Sequence, residues 1–288
     1  MRNRLILAIS AIVLVAATPA LAWPFGKKAP ATGAAAIPGP TTNLTGAPME
    51  TVRKASNADV QQALRSDPLT QAAFFANQFD RDPTDAQMGL YLSNALRALG
   101  RNAEAADTAH KVLLFQPNNI DVLTAAAQAH IADNNAFYAV DPLQRIIGLK
   151  PNNWQAYSLL GVAYDQIKRT DDAQTAWATA LKLSPNNPDV LTNMAMARVM
   201  TGDLAGAEPL LRTAAAQKTA SIQVRQNLAL VLGLEGQMAE AEKLLREDLP
   251  PEQAEANLAW LQLNQGKGTI PVKNPVSRSW DSVKAAGS

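Results

Sequence analysis

The chain reads as an all-α solenoid, a right-handed superhelix of antiparallel helix pairs. Two observations predict this. The tripeptide Pro-Asn-Asn begins at Pro117, Pro151 and Pro185, 34 residues apart each time. A fixed period of that length marks a helix-turn-helix unit that buries its core only by stacking on its neighbours. Composition agrees: hydrophobic residues make up 47% of the chain but aromatics only 5%, with alanine runs throughout. Such sequence suits closely approaching helices and suits sheets poorly.

The elements follow in chain order. Residues 1–22 have the secretory pattern: Arg2 and Arg4, an apolar run from Leu5 to Ala17 broken by Ser10, then Pro19 and the small-x-small site Ala20-Leu21-Ala22. That run of 13 residues falls short of the roughly 20 that a bilayer span needs. Cleavage after Ala22 is therefore expected, with a retained anchor as the alternative, and the destination is the periplasm of a bacterial envelope. Residues 23–56 repeat Pro, Ala, Gly and Thr without periodicity and read as a disordered arm.

Residues 57–85 read as a degenerate helical pair or N-terminal cap, Ala58–Ser66 and Leu69–Phe79, with Phe74, Phe75 and Phe79 covering the first clear unit. Residues 86–250 hold five units: Ala86–Asn119, Ile120–Asn153, Trp154–Asn187, Pro188–Ser221 and Ile222 to about Pro250. The third carries Tyr157, Leu160, Gly161 and Tyr164, then Ala173, Trp177, Ala180 and Pro185. These residues resemble the tetratricopeptide repeat (TPR) signature. Gly161 and Ala173 are small where the paired helices approach, and Tyr164 and Trp177 supply bulk where the next unit stacks. The same small positions are Ser93, Ala127, Ala195 and Ala229 on first helices, and Ala105, Ala139, Ala207 and Ala241 on second helices. Gly100, Gly202 and Gly236 fall in turns that favour a left-handed residue. Pro142 and Pro209 lie inside second helices and predict a late start or a bend there. A helix over 251–264 lids the exposed end of the stack through Ala254, Leu258 and Leu261. Residues 265–288 form a flexible basic tail in which Trp280 is a candidate short motif or an incidental aromatic.

Little in the chain points to chemistry. The net charge of +1 gives no nucleic-acid footprint, and removing Arg2 and Arg4 leaves 24 basic against 25 acidic residues. There is no cysteine, which excludes disulfides, thiolate metal sites and cysteine nucleophiles. His110 and His130 fall on different units with no third ligand evident, so no metal site and no cofactor is expected. Asp80, Asp82 and Asp85 lack the spacing and turn glycine of a calcium loop and read as caps. No nucleophile elbow, His-Glu-x-x-His or phosphate loop occurs, so no enzyme is expected.

What remains is the concave face. Its register positions are Asn94 and Arg97; Thr124 and Gln128; Ser158, Val162 and Asp165; Thr192, Asn193, Met196 and Val199; Gln226, Asn227 and Leu230. Amide side chains pair with both backbone donors and acceptors, which suits an extended peptide. The apolar patch of Met196, Val199 and Leu230 would take one of its side chains. No Lys/Arg clamp for a terminal carboxylate is evident, because Leu90, Thr124, Ser158 and Thr192 stand where its first lysine would be.

The C-terminal third is more particular. The segments starting at Met200, at Val224 (with Arg225-Gln226-Asn227) and at Asp248 (with Leu249-Pro250-Pro251) resemble the TadD-like TPR proteins of the tight-adherence (Flp) pilus system. That resemblance implies a periplasmic assembly factor whose protein partners include the outer-membrane secretin or other pilus components. Members are often lipoproteins, and this chain has no lipid-acceptor cysteine, so a soluble form is expected, with peripheral envelope association at most. A general periplasmic chaperone-like role in another assembly process is the alternative reading.

Overall fold

The computed structural model describes residues 54–265, together with one antiparallel pair of two-residue strands, Val13–Leu14 with Leu21–Ala22. The expected signal peptide otherwise, most of the expected arm, and the tail with Trp280 lie outside the described residues. The rest is helical: α1 (Asn57–Leu64), α2 (Pro68–Arg81), α3 (Ala86–Ala98), α4 (Asn102–Leu113), α5 (Ile120–Ala132), α6 (Val140–Leu149), α7 (Trp154–Gln166), α8 (Thr170–Leu183), α9 (Pro188–Met200), α10 (Leu204–Ala215), α11 (Ile222–Leu234), α12 (Met238–Asp248) and α13 (Pro251–Asn264).

The repeated Pro-Asn-Asn both closes one unit and opens the next. Its proline follows a second helix, where it cannot continue the hydrogen-bond ladder. Its last asparagine is the N-cap of the following first helix. Asn119 Oδ1 accepts from Val122 N at 3.2 Å and Asn153 Oδ1 from Ala156 N at 3.0 Å. Asn187 Oδ1 accepts from Asp189 N at 2.9 Å and Val190 N at 3.3 Å. Each cap stabilises its helix by about 1 kcal/mol. Asp85 caps α3 in the same way, and Asp82 accepts from Thr84.

Between paired helices the chain turns through a left-handed residue. Gly100, Gly202 and Gly236 have φ of 73°, 82° and 90°, and Asn134 and Lys168 fill the same position in the other two units at 58° and 66°.

The paired helices meet through the small positions. Ser93 Oγ donates to Ala105 O at 2.8 Å, a buried bond between α3 and α4. A Cβ on Gly161 would collide with the Trp177 indole, whose Nε1 donates to Ser158 O at 3.1 Å. The Trp177 ring is seated on Gly161 of its own unit, because only glycine leaves room there for an indole.

The two internal prolines behave differently. Before Pro142 the second helix starts late, through a 3-10 turn Ala136–Ala139, and α6 begins at Val140. Pro142 thus sits in the first turn, where its missing N–H costs little. At Pro209 no late start occurs. Helix α10 begins at Leu204 and runs through the proline, whose position is exposed.

The core is continuous along the stack. One buried cluster joins Ala63 to Ala129 and a second joins Leu123 to Leu261; they meet on α5, which contributes residues to each. At the C-terminal end Leu261 of α13 packs against Gly233 of α11, where a Cβ would strike the leucine. Consecutive first helices α3, α5, α7, α9 and α11 touch directly, and the strand pair lies against α5, α9 and α11. Among the described residues no helix is long and apolar enough to cross a membrane.

Candidate protein-binding groove

Because the first helices pack side by side, their facing side chains meet in pairs. Arg97 of α3 donates from Nη1 to Gln128 Oε1 of α5 at 2.8 Å. Further along the stack, Asn193 Nδ2 of α9 donates to Ser158 Oγ of α7 at 3.0 Å. These bonds bring together four of the residues that the register places on the concave face, and all four are buried.

Their hydrogen-bonding capacity is not exhausted. Arg97 Nε, Asn193 Oδ1 and the neighbouring Thr192 Oγ1 are buried without a partner. Burial alone pushes the Arg97 guanidinium down to about 10, and no carboxylate offsets it. A buried cation without a counter-ion is costly, and an orphaned amide oxygen costs about 1–3 kcal/mol. These atoms keep hydrogen-bonding capacity that no neighbouring group uses.

The other concave positions are less connected. Thr124 Oγ1 turns back to Ile120 O at 2.8 Å within its own helix. Asn94, Gln226 and Leu230 are half-buried. Met196, Val162, Val199 and Asn227 are buried. Asp165 is half-buried, and burial raises its carboxyl above the ordinary range while Lys168 partly offsets this. Asp189, in the first turn of α9, is buried with its carboxyl pushed up to about 6 by desolvation.

The residues behind the family resemblance have a structural task. Arg225 of α11 grips Asp248 at the end of α12 bidentately, Nε to Oδ2 at 2.8 Å and Nη2 to Oδ1 at 2.5 Å. Asp248 precedes Leu249-Pro250-Pro251, so the ion pair fixes the departure of α13 from the last unit.

Sequence reasoning misses a second region. Register puts His110 on α4 and His130 on α5, in separate units, yet their Nε2 atoms stand 3.3 Å apart. Phe137 and Tyr138, exposed in the 3-10 turn, extend the contact, the Tyr138 ring lying 5.6 Å from His130. Leu114, Pro142, Arg145 and Arg169 complete a crevice of about 590 Å³. The available signal is Ala136-Phe137-Tyr138, two aromatics standing where the next unit has Asp171 and Asp172.

Residues 155–187 match the sequence profile of the tetratricopeptide repeat. Solved structures resemble the stack as a whole. A tetratricopeptide repeat protein from Parabacteroides merdae ATCC 43184 is similar over 71% of this chain and 81% of its own, with a TM-score of 0.60 and 11% identity. The thermophilic TPR protein TTC0263 of Thermus thermophilus is similar over 62% and 99%, with a TM-score of 0.54 and 20% identity. At these identities the likeness is one of fold. No curated protein matches the sequence. The fold is thus a tetratricopeptide-repeat solenoid, an architecture that typically serves as a scaffold for protein–protein interaction. This chain carries such repeats, with the signature clearest in its third unit.

Proposed function

We propose that this chain is a non-catalytic periplasmic scaffold that holds protein partners along its first helices during assembly of a Tad/Flp-type pilus or secretion apparatus. One observation carries the binding part: buried, partly unsatisfied polar groups, Arg97, Thr192 and Asn193, line the first helices. Such groups are retained at a cost that a peptide's backbone and side chains would offset. The pilus assignment is supported by the resemblance of the C-terminal third to TadD-like proteins, and the export assignment by the pattern of residues 1–22.

The test is capture from a cross-linked envelope extract, followed by the same capture with Asn193→Ala and Asn227→Ala together. A secretin or pilus component is expected among the captured proteins. The double variant should lose about tenfold in affinity, or ~1.4 kcal/mol, with its helical signal intact. Capture that never yields a secretin or pilus component overturns the pilus assignment. Undiminished capture by the double variant overturns the groove.

A further inference from the structure

The contact between His110 and His130 has a measurable shape. Their Nε2 atoms are 3.3 Å apart, their ring centres 5.0 Å apart, and the ring planes are inclined by 41°. A direct N–H···N hydrogen bond favours a near-linear approach at about 3.0 Å. Covalent bond lengths place each nitrogen about 1.1 Å from the centre of its ring. A linear bond stretched to the observed nitrogen separation would therefore hold the ring centres about 5.6 Å apart. Two imidazoles converging on one ion, each nitrogen about 2.05 Å from it, behave differently. They reach the observed 3.3 Å at an angle of roughly 107°, close to tetrahedral, with ring centres about 5.1 Å apart. The observed separations lie closer to the second shape than to a linear bond.

We propose that His110 and His130 form an open site for a divalent transition-metal ion of the zinc class, held through both Nε2 atoms with water in the remaining positions. The setting fits such an ion. His130 is half-buried and faces His110 across the unit boundary. Asp141 lines the same crevice and adds a negative charge to it. The two arginines of the crevice are engaged elsewhere. Arg145 donates to Pro117 O, while Arg169 pairs with Asp172 at 2.6 Å and lies over the Tyr164 ring.

Among the described residues no cluster of three or more ligating side chains exists. The site is thus built on two protein ligands and binds more weakly than a closed four-ligand zinc centre. Its two ligands come from the second helix of one unit and the first helix of the next, so a bound ion ties two repeats together. The inference is independent of the groove reading, because the two sites share no residue.

The experiment titrates zinc chloride into the full chain by calorimetry, with thermal unfolding measured in parallel. One equivalent is expected to bind, and Tm to rise with free zinc by mass action. His110→Ala removes an exposed side chain and leaves the packing alone; it should lower the affinity at least about tenfold and abolish the shift in Tm. His130→Asn should do the same. Zinc affinity and a Tm shift that survive His110→Ala would place the ion elsewhere and overturn the site. Absence of binding in the unaltered chain would reduce the pair to a hydrogen bond and overturn it equally.

Discussion

The second and third units share one register and use it differently. In the third, Gly161 makes room for Trp177, the indole fills the space between α7 and α8, and the first turn of α8 carries an exposed Asp171 and a half-buried Asp172 paired with Arg169. In the second, Ala127 and Leu143 hold the corresponding positions, both fully buried. Its turn is rebuilt as a 3-10 segment that turns Phe137 and Tyr138 outward. The core survives the change because a methyl against a leucine and a hydrogen against an indole fill similar space. The surface does not, since Pro142 delays α6 and opens a crevice beside the two histidines. Departures from the repeat signature thus change the outside of a unit before they change its inside.

The comparison is broken most easily at the core. Trp177→Ala should destabilise by about 3–5 kcal/mol, because it leaves a large cavity against a glycine that cannot fill it. Leu143→Ala should cost less, about 2–4 kcal/mol. Denaturant unfolding of the two variants measures both; equal losses would mean that the two units do not solve packing differently.

The junctions give a smaller effect with a pH signature. The third unit hands on through Asn187-Pro188-Asp189, whereas the second hands on through Asn153-Trp154-Gln155. Burial raises the Asp189 carboxyl to about 6 from an ordinary 3.8. Between those values the folded chain holds a proton that the unfolded chain has released, so stability falls as pH rises through the window. The whole effect is about 2–3 kcal/mol. Asp189→Asn should remove that slope and leave the protein more stable near pH 7, as read from Tm at pH 4 and pH 7. An unchanged slope would show that Asp189 is solvated.

Smallest is the effect of the caps. Asn119→Ala and Asn153→Ala should each cost about 1 kcal/mol, with no difference between units. Unequal losses in thermal unfolding would sharpen the comparison by showing that one junction has a second support.

Much of this architecture is legible in the sequence because a solenoid is built from local rules. Helix-ending prolines, capping asparagines and left-handed glycines act within a few residues, and a 34-residue period repeats them. Side-chain meetings between units are not legible in the same way. Register places Arg97, Gln128, Ser158 and Asn193 on one face. It does not show that they bond in pairs or that Arg97 Nε and Asn193 Oδ1 are left over. Register also does not show that the Trp177 indole rests on Gly161, because periodicity gives an angle around a helix and not the depth of the space beside it.

Read alone, the sequence establishes that helices pair on a 34-residue period and that no cysteine chemistry is available. The superhelical stacking decided which atoms of neighbouring units face one another. Two histidines 20 residues apart come within 3.3 Å because α4 and α5 pack across a unit boundary. Local propensity acts over a turn or two of chain, whereas that distance depends on how whole helices pack.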